Sequence, residues 1–251
     1  MNLLLVQCRT DDSAPHEYGC IQSHTRLTDS QITVVNPVKN PGRLTQANLD
    51  EFDAAIVGGS GEFSLSHKEN FEFALDEIRP FLDKVLEKEM PFLGMCLGHQ
   101  ILAWHLGARV EADPSQQEVG SFEVTLTDKG AVDPVFKDLP KKFMAQHGHQ
   151  DSVMELPTGA VHLSSGVKNR IGGFRVGDKA YGLQFHPELT LDDLMTRLAL
   201  YPEYLGGRTI DEARRDFKES PMAPLSIKNF FNRVVLSESP EVVSEPALAK
   251  V

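Results

Sequence analysis

The chain has 251 residues, with 25 basic and 36 acidic side chains and a formal net charge of −11. That balance excludes nucleic-acid or anionic-membrane binding through clustered cations, because neutralising phosphates needs Lys and Arg gathered in excess. Hydrophobic residues make up 41% of the chain and charged residues 24%, and no run approaches the roughly 20 apolar residues of a membrane span.

Taken in order, the chain opens on Leu3–Val6, which lacks the basic start and the length of a signal segment and reads as a first strand. Further apolar runs follow at Ile32–Val35, Phe52–Val57, Pro91–Met95, Phe122–Leu126, Phe143–Gln146, Val161–Ser164 and Ala180–Phe185. Between them, Phe71 to Glu89 places Phe71, Ala74, Leu75, Ile78, Leu82, Val85 and Leu86 at helical spacing. Pro80 is expected to kink or split that helix, since it has no N–H to give. The stretch Thr10 to Arg26 reads as a polar loop, longer than a plain βα connection. Alternation of strand and helix predicts an α/β fold of three layers, a mostly parallel central sheet flanked by helices. The faster strands between about 110 and 185 predict a small antiparallel addition. Helical spacing at Leu191–Leu200, Ile210–Phe217 and Pro224–Val235 predicts a C-terminal helical extension. Residues 237–251 lack an apolar period and read as a flexible tail. The domain reading is therefore a catalytic unit over 1–189 with an extension over 190–236 packed on it.

Three segments carry chemistry. Pro91–Gln100 runs from an apolar strand into a helical pattern through Gly94-Met95-Cys96-Leu97-Gly98, the layout of a nucleophile elbow. Glycines two residues before and after Cys96 relieve the crowding of such a turn. The alternative is a buried cysteine in a β–α unit. A thiol nucleophile needs a base steered by a carboxylate. Among nine histidines, His186 ends an apolar strand, where an open α/β sheet lines its ligand crevice, and Glu188 follows two residues on. Alternatively, His186 is an ordinary strand-end residue. The third segment, Val57-Gly58-Gly59-Ser60-Gly61, lacks the Lys and the spaced third glycine of nucleotide loops. It is either a simple turn or half of an oxyanion hole, with the Gly59 and Leu97 N–H groups as donors.

In combination, Gly94-Met95-Cys96-Leu97-Gly98-His99-Gln100 and Gln184-Phe185-His186-Pro187-Glu188 resemble the class I glutamine amidotransferases, the Cys-His-Glu glutaminases. The resemblance runs from the first strand to about Leu189. It implies that Cys96 attacks the amide carbon of glutamine or another γ-glutamyl amide, that His186 acts as acid and base, and that Glu188 orients it. It implies oxyanion donors at Gly59 and Leu97. Gln100 matches a glutamine-binding position. Gly120, Ser121 and Phe122 resemble the strand whose backbone meets the substrate's amino-acid end, and His149 and Asp151 a His-x-Asp segment near the substrate.

No cofactor is implied. His147-Gly148-His149 has ligand-like spacing and Cys96 is a soft ligand, but a zinc site wants four convergent groups and no fourth is evident, so no metal is expected. Cys8 and Cys20 have no partner motif, His99 and His105 suit packing or the surface, and Trp104 suits the core. Three cysteines are too few for a disulfide framework, which suits a reducing cytoplasm. The chain carries no ATP-pyrophosphatase Ser-Gly-Gly-x-Asp-Ser loop. It is therefore read either as a glutaminase subunit in need of a synthetase partner or as a stand-alone hydrolase. The polar Thr10–Arg26 stretch and the extension favour the second. A non-catalytic protein retaining the fold is a third reading, opposed by the intact Cys96, His186 and Glu188.

Overall fold

The computed structural model describes residues 1–236; the tail expected over 237–251 lies outside the described residues. Four short parallel strands begin the sheet: β1 (Leu3–Val6), β2 (Ile32–Val35), β3 (Ala54–Val57) and β4 (Phe92–Met95). They alternate with helices α1 (Ser13–Thr25), α2 (Glu72–Glu87) and α3 (Leu97–His105). Then come β5 (Val110–Ala112), β6 (Glu118–Leu126), β7 (Lys142–His149), β8 (Asp151–Val153), β9 (Val161–Ser165), β10 (Gly173–Val176) and β11 (Ala180–Leu183). The chain closes on α4 (Leu191–Leu200), α5 (Ile210–Asp216) and α6 (Pro224–Asn229), the last running on into a wider π-helical turn over Phe230–Val235.

Nine strands form one sheet in the order β2-β1-β3-β4-β11-β10-β9-β6-β7. Pairings from β2 through β11 are parallel, and those from β11 to β7 antiparallel. β5 and β8 pair separately as an antiparallel ribbon. The expected mostly parallel sheet with an antiparallel addition is thus what the chain forms.

Strand alternation explains the layering. Leu4, Val6, Ala55 and Val57 face α2 and α3, whereas Leu3, Leu5, Ala54 and Ile56 face Ile21 of α1 and Phe230 beyond α6. All eight strand residues are 0% exposed, as expected for a parallel sheet covered on both faces. A third apolar cluster joins Cys20 of α1 to Leu191, Leu194 and Leu198 of α4, so the C-terminal helices extend the layer begun by α1.

Two expectations are corrected. The Thr10–Arg26 stretch is not a loop: thirteen of its residues form α1. Its buried face includes Ser13 and Glu17, polar groups that a search for apolar spacing passes over. Pro80 neither kinks nor splits α2, which runs unbroken across it. Pro80 and Asp76 four residues earlier are both exposed, so water can take the carbonyl that the proline cannot bond.

The turn from β4 into α3 needs its glycines for space. A Cβ on Gly94 would strike the backbone at Gly98, and a Cβ on Gly98 would strike the Val57 carbonyl. Gly98 also donates its N–H to the Gly58 carbonyl at 3.1 Å, clamping the elbow to the loop after β3. Gly98→Ala is therefore expected to destabilise the fold by about 1–3 kcal/mol or more, since the clash is with backbone that cannot rotate away. A lower denaturant midpoint with unchanged slope would show it; an unchanged midpoint would contradict the packing described.

Candidate active site

β3, β4 and β11 are neighbours at the centre of the sheet, and all three candidate segments leave their carboxyl ends. Val57 lies opposite Gly94, and Met95 opposite Leu183. That register brings the Gly58–Gly61 loop, Cys96 and His186 to one edge.

Cys96 adopts φ 51° and ψ −102°, a conformation costly for any residue with a Cβ. It is held there by its N–H on the Leu183 carbonyl (2.9 Å) and by the start of α3. Its sulfur lies 3.8 Å from the Gly148 carbonyl oxygen. His186 is fixed through its backbone N–H to the Gln146 carbonyl, 2.9 Å. Its Nδ1 meets Glu188 Oε1 at 2.7 Å, and a carboxylate can only accept there. Both side chains are buried, at 6% and 0% exposure, so the pair works in a weakly screening medium. Burial opposes the charge on His186, but the Glu188 carboxylate and the Cys96 sulfur outweigh it and raise the imidazole to about 10. Burial likewise opposes the Glu188 charge, and His186 and Arg197 overcome it, bringing the carboxyl down to about 2. A Cβ at Gly59 would meet His186 Cε1 at 2.9 Å and Cys96 Cβ at 3.4 Å, so the glycine loop, the thiol and the imidazole are in mutual contact range.

The expected oxyanion pair is altered. Gly59 gives its N–H to Glu17 Oε1 at 3.0 Å. Glu17 is 0% exposed and also accepts from Arg9 Nε and Gln7 Nε2, both at 3.0 Å. A fully buried carboxylate needs several donors, and it recruits the Gly59 amide to complete them. Leu97 keeps its N–H outside the α3 ladder, as the first residue of a helix must, and it lines the cavity beside Cys96. Glu17→Ala is expected to cost about 3–5 kcal/mol, because Arg9, 2% exposed, would be left as an unpaired buried charge. Chemical denaturation of the variant measures this directly.

Cys96 opens on a cavity of about 820 Å³. Gln100, His149 and Asp151 line it, as the sequence led one to expect. Gln100 spends one donor on the Asp151 carbonyl (2.8 Å) and Gln184 Oε1 (3.1 Å). The Asp151 carboxylate accepts from the N–H (2.9 Å) and hydroxyl (2.6 Å) of Ser66, which anchors the 3-10 segment Leu65–Asn70 over the cavity. Gly120, Ser121 and Phe122 are not among its lining residues. Gly120 is backed by the Phe217 ring, and Ser121 exchanges hydrogen bonds with the Lys218 backbone at 2.8 and 2.9 Å. The C-terminal extension covers that strand instead.

Several lining residues escaped the sequence reading. The loop Ser60–Ser64 forms one wall, where the Ser60 hydroxyl accepts from the N–H groups of Glu62 and Phe63 at 3.1 Å. Glu203 and Tyr204, from the extension, form another. On the far side of His186 a smaller cavity of about 390 Å³ is bounded by Arg9, Arg197 and Tyr201. Tyr201 donates to Asp11 Oδ2 (2.5 Å), tying the extension to the start of α1. A signal existed for Tyr201 and Tyr204, two of the four tyrosines in the chain, three residues apart.

The other thiols and imidazoles sort by environment. Burial, with Glu17 nearby, pushes Cys8 up to about 12, and burial pushes Cys20 up as well. His99 is buried and lowered to about 3 by desolvation, a neutral ring packed against Phe174. His105 pairs with Asp83 at 3.0 Å. Trp104 is only partly buried, with the Arg79 guanidinium 4.5 Å from its ring centroid, so it closes the core's rim rather than filling its centre. Cys96 does not join His147 and His149 in a metal-compatible cluster; Glu118 does. No helix among the described residues is long and apolar enough to cross a membrane.

Comparison with known proteins agrees with this arrangement. The family profile described as Glutamine amidotransferase class-I matches residues 21–198. The glutaminase component of the glutamine-hydrolyzing GMP synthase of Sulfolobus acidocaldarius is 30% identical over 173 residues, covering 68% of this chain and 86% of that protein. The GMP synthase of Thermosipho africanus is 34% identical over 139 residues, covering 55% of this chain and 24% of its own length. The chain therefore spans about a quarter of such full-length relatives. A glutamine amidotransferase structure from Thermotoga maritima superposes with a TM-score of 0.73 at 24% identity, covering 95% of this chain and 99% of that one. One from Methylobacillus flagellatus gives 0.67 at 16%, with 93% and 95% covered. With the family profile spanning most of the chain, this protein belongs to the class I glutamine amidotransferases.

Proposed function

We propose that the chain hydrolyses a γ-glutamyl amide, glutamine or a γ-glutamyl peptide, through a thioester on Cys96. The observation that carries this reading is the strained Cys96 in contact range of an imidazole held by a buried carboxylate. His186 takes the Cys96 proton as sulfur bonds to the amide carbon. The C–N bond then breaks, and His186 returns the proton to the departing ammonia or amine. Water attacks the thioester, its proton passes to His186, and glutamate leaves as the sulfur is restored. The Leu97 N–H supports the oxyanion in both steps; Gly59 joins it once its N–H leaves Glu17.

The walls that Glu203 and Tyr204 contribute favour a site completed by this chain's own 190–236 extension on a 1–189 catalytic unit, hence a stand-alone enzyme. A second reading has its own support: the Sulfolobus relative is named as one subunit of a GMP synthase. On that reading the ammonia goes to an ATP-using synthetase partner. Purified protein alone should release glutamate and label at Cys96 with an electrophilic glutamine analogue. Activity that needs an added synthetase selects the second reading. Neither release nor labelling under either condition rejects the chemistry.

A further inference from the structure

We propose that Glu118, His147 and His149 form a buried binding site for a divalent transition-metal ion, zinc being the type ion. The site lies behind the cavity wall and is separate from the thiol. Pairing between β6 and β7 builds it. Glu118 is directly opposite His149, and His147 lies two residues before His149 on the same strand, so all three side chains share one face of the sheet. The side chains are 0–1% exposed. Their ligand atoms converge: His147 Nδ1 is 3.1 Å and His149 Nε2 3.7 Å from Glu118 Oε2, and the three lie within 4.8 Å of one another. Ligands on a tetrahedral ion with bonds of about 2.0–2.1 Å stand roughly 3.3 Å apart, so closure needs only small side-chain shifts.

Hydrogen bonding supplies the second, independent argument. His149 Nδ1 lies 2.9 Å from the Asp151 carbonyl oxygen, which can only accept, so Nδ1 carries the proton. In the neutral ring Nε2 then presents a lone pair to the carboxylate oxygen. Glu118 Oε2, His149 Nε2 and both nitrogens of His147 are buried without a hydrogen-bond partner. Acceptor facing acceptor in a buried site is costly, and a cation between them removes the conflict. Two imidazoles and a carboxylate suit zinc, cobalt or nickel, with water in the fourth place. The backbone N–H of Lys168 donates to Glu118 Oε1 at 2.7 Å, orienting the carboxylate from behind as outer partners of metal ligands do.

The other candidate cluster, His16, Cys20 and Asp193, lacks this need. His16 Nδ1 accepts from Arg197 Nε at 2.7 Å and its Nε2 lies 3.3 Å from Asp193, so both nitrogens are served, and the Arg197 charge repels a cation. Binding at the Glu118 site fixes the end of β7, whose Gly148 to Asp151 segment walls the Cys96 cavity.

Metal-free full-length protein titrated with cobalt(II) is expected to bind one equivalent with the intense visible bands of a four-coordinate ion. Zinc should displace the cobalt and raise the Tm as a ligand of the native state does. Glu118→Gln and His147→Ala should each weaken binding at least about tenfold, whereas Cys96→Ala and Cys20→Ser should leave it intact. His147→Asn serves where His147→Ala fails to fold. Wild-type protein that binds no stoichiometric metal overturns the site, a proton on His149 Nε2 then bridging to Glu118. Binding lost in Cys96→Ala or Cys20→Ser overturns it equally. None of these readouts depends on turnover, so failure here leaves the proposed hydrolysis standing.

Discussion

Replacing Cys96 with alanine is expected to lower glutamate release by at least about 10⁴-fold, because removing a nucleophile leaves only binding and oxyanion stabilisation. The other two thiols cannot substitute. Cys8 is fully buried and raised to about 12, and Cys20 is raised by burial and turned toward His16 and Asp193. The variant should fold, since the positive φ of 51° strains alanine about as it strains cysteine and the glycines that make room for the turn are untouched. Steady-state glutamate release, with intact mass after exposure to an electrophilic glutamine analogue, measures both halves of the expectation. Wild type should gain one adduct and Cys96→Ala none. Turnover within tenfold of wild type would remove Cys96 from the chemistry.

Much of this was legible in the sequence because the central strands are buried on both faces. Leu3–Val6, Ile32–Val35 and Leu191–Leu200 have the bounds expected from their apolar patterns. β5, β8 and β10 were missed for a physical reason: they are three or four residues long, and Val110–Ala112 is largely exposed, so neither length nor alternation marks them. The α1 helix was misread because part of its buried face is polar. Ser13 and Glu17 are buried through partners far away in sequence, Arg9, Gln7 and the Gly59 amide among them, and such partners cannot be read from periodicity. The same holds at the site. Cys96, His186 and Glu188 stand out by local spacing, whereas Ser60–Ser64, Glu203 and Tyr204 reach the cavity only through tertiary packing. Glu118 is the sharpest case. Alone it is one acidic residue at a strand start, and only the β6–β7 register sets it against His149.

Glu188→Gln carries the second large expectation, because it removes the charge that opposes burial at His186 while keeping the side chain's shape. Burial is the largest influence on the imidazole and acts to lower it; Glu188 is the leading influence that raises it to about 10. Without that carboxylate the buried ring should be neutral at pH 7, and it is free to turn, since an amide does not enforce one tautomer. Loss of the equivalent carboxylate in a Ser-His-Asp site costs about 10⁴ in kcat, and a loss of similar order is expected here. The pH dependence separates this electrostatic role from simple packing. In the wild type, the imidazolium's stabilisation is fully present below its unfolded value of 6.5 and is lost as pH rises through about 10. The Glu188 contribution is present above 4.5 and is lost as pH falls toward about 2. The stability gap between wild type and Glu188→Gln should therefore be widest between about pH 5 and 8 and should narrow above pH 10 and below pH 4. Thermal unfolding across that range, alongside the pH–rate profile, tests both. A gap constant with pH would mean that Glu188 acts through packing alone, and the imidazole–carboxylate pair would lose its place in the mechanism.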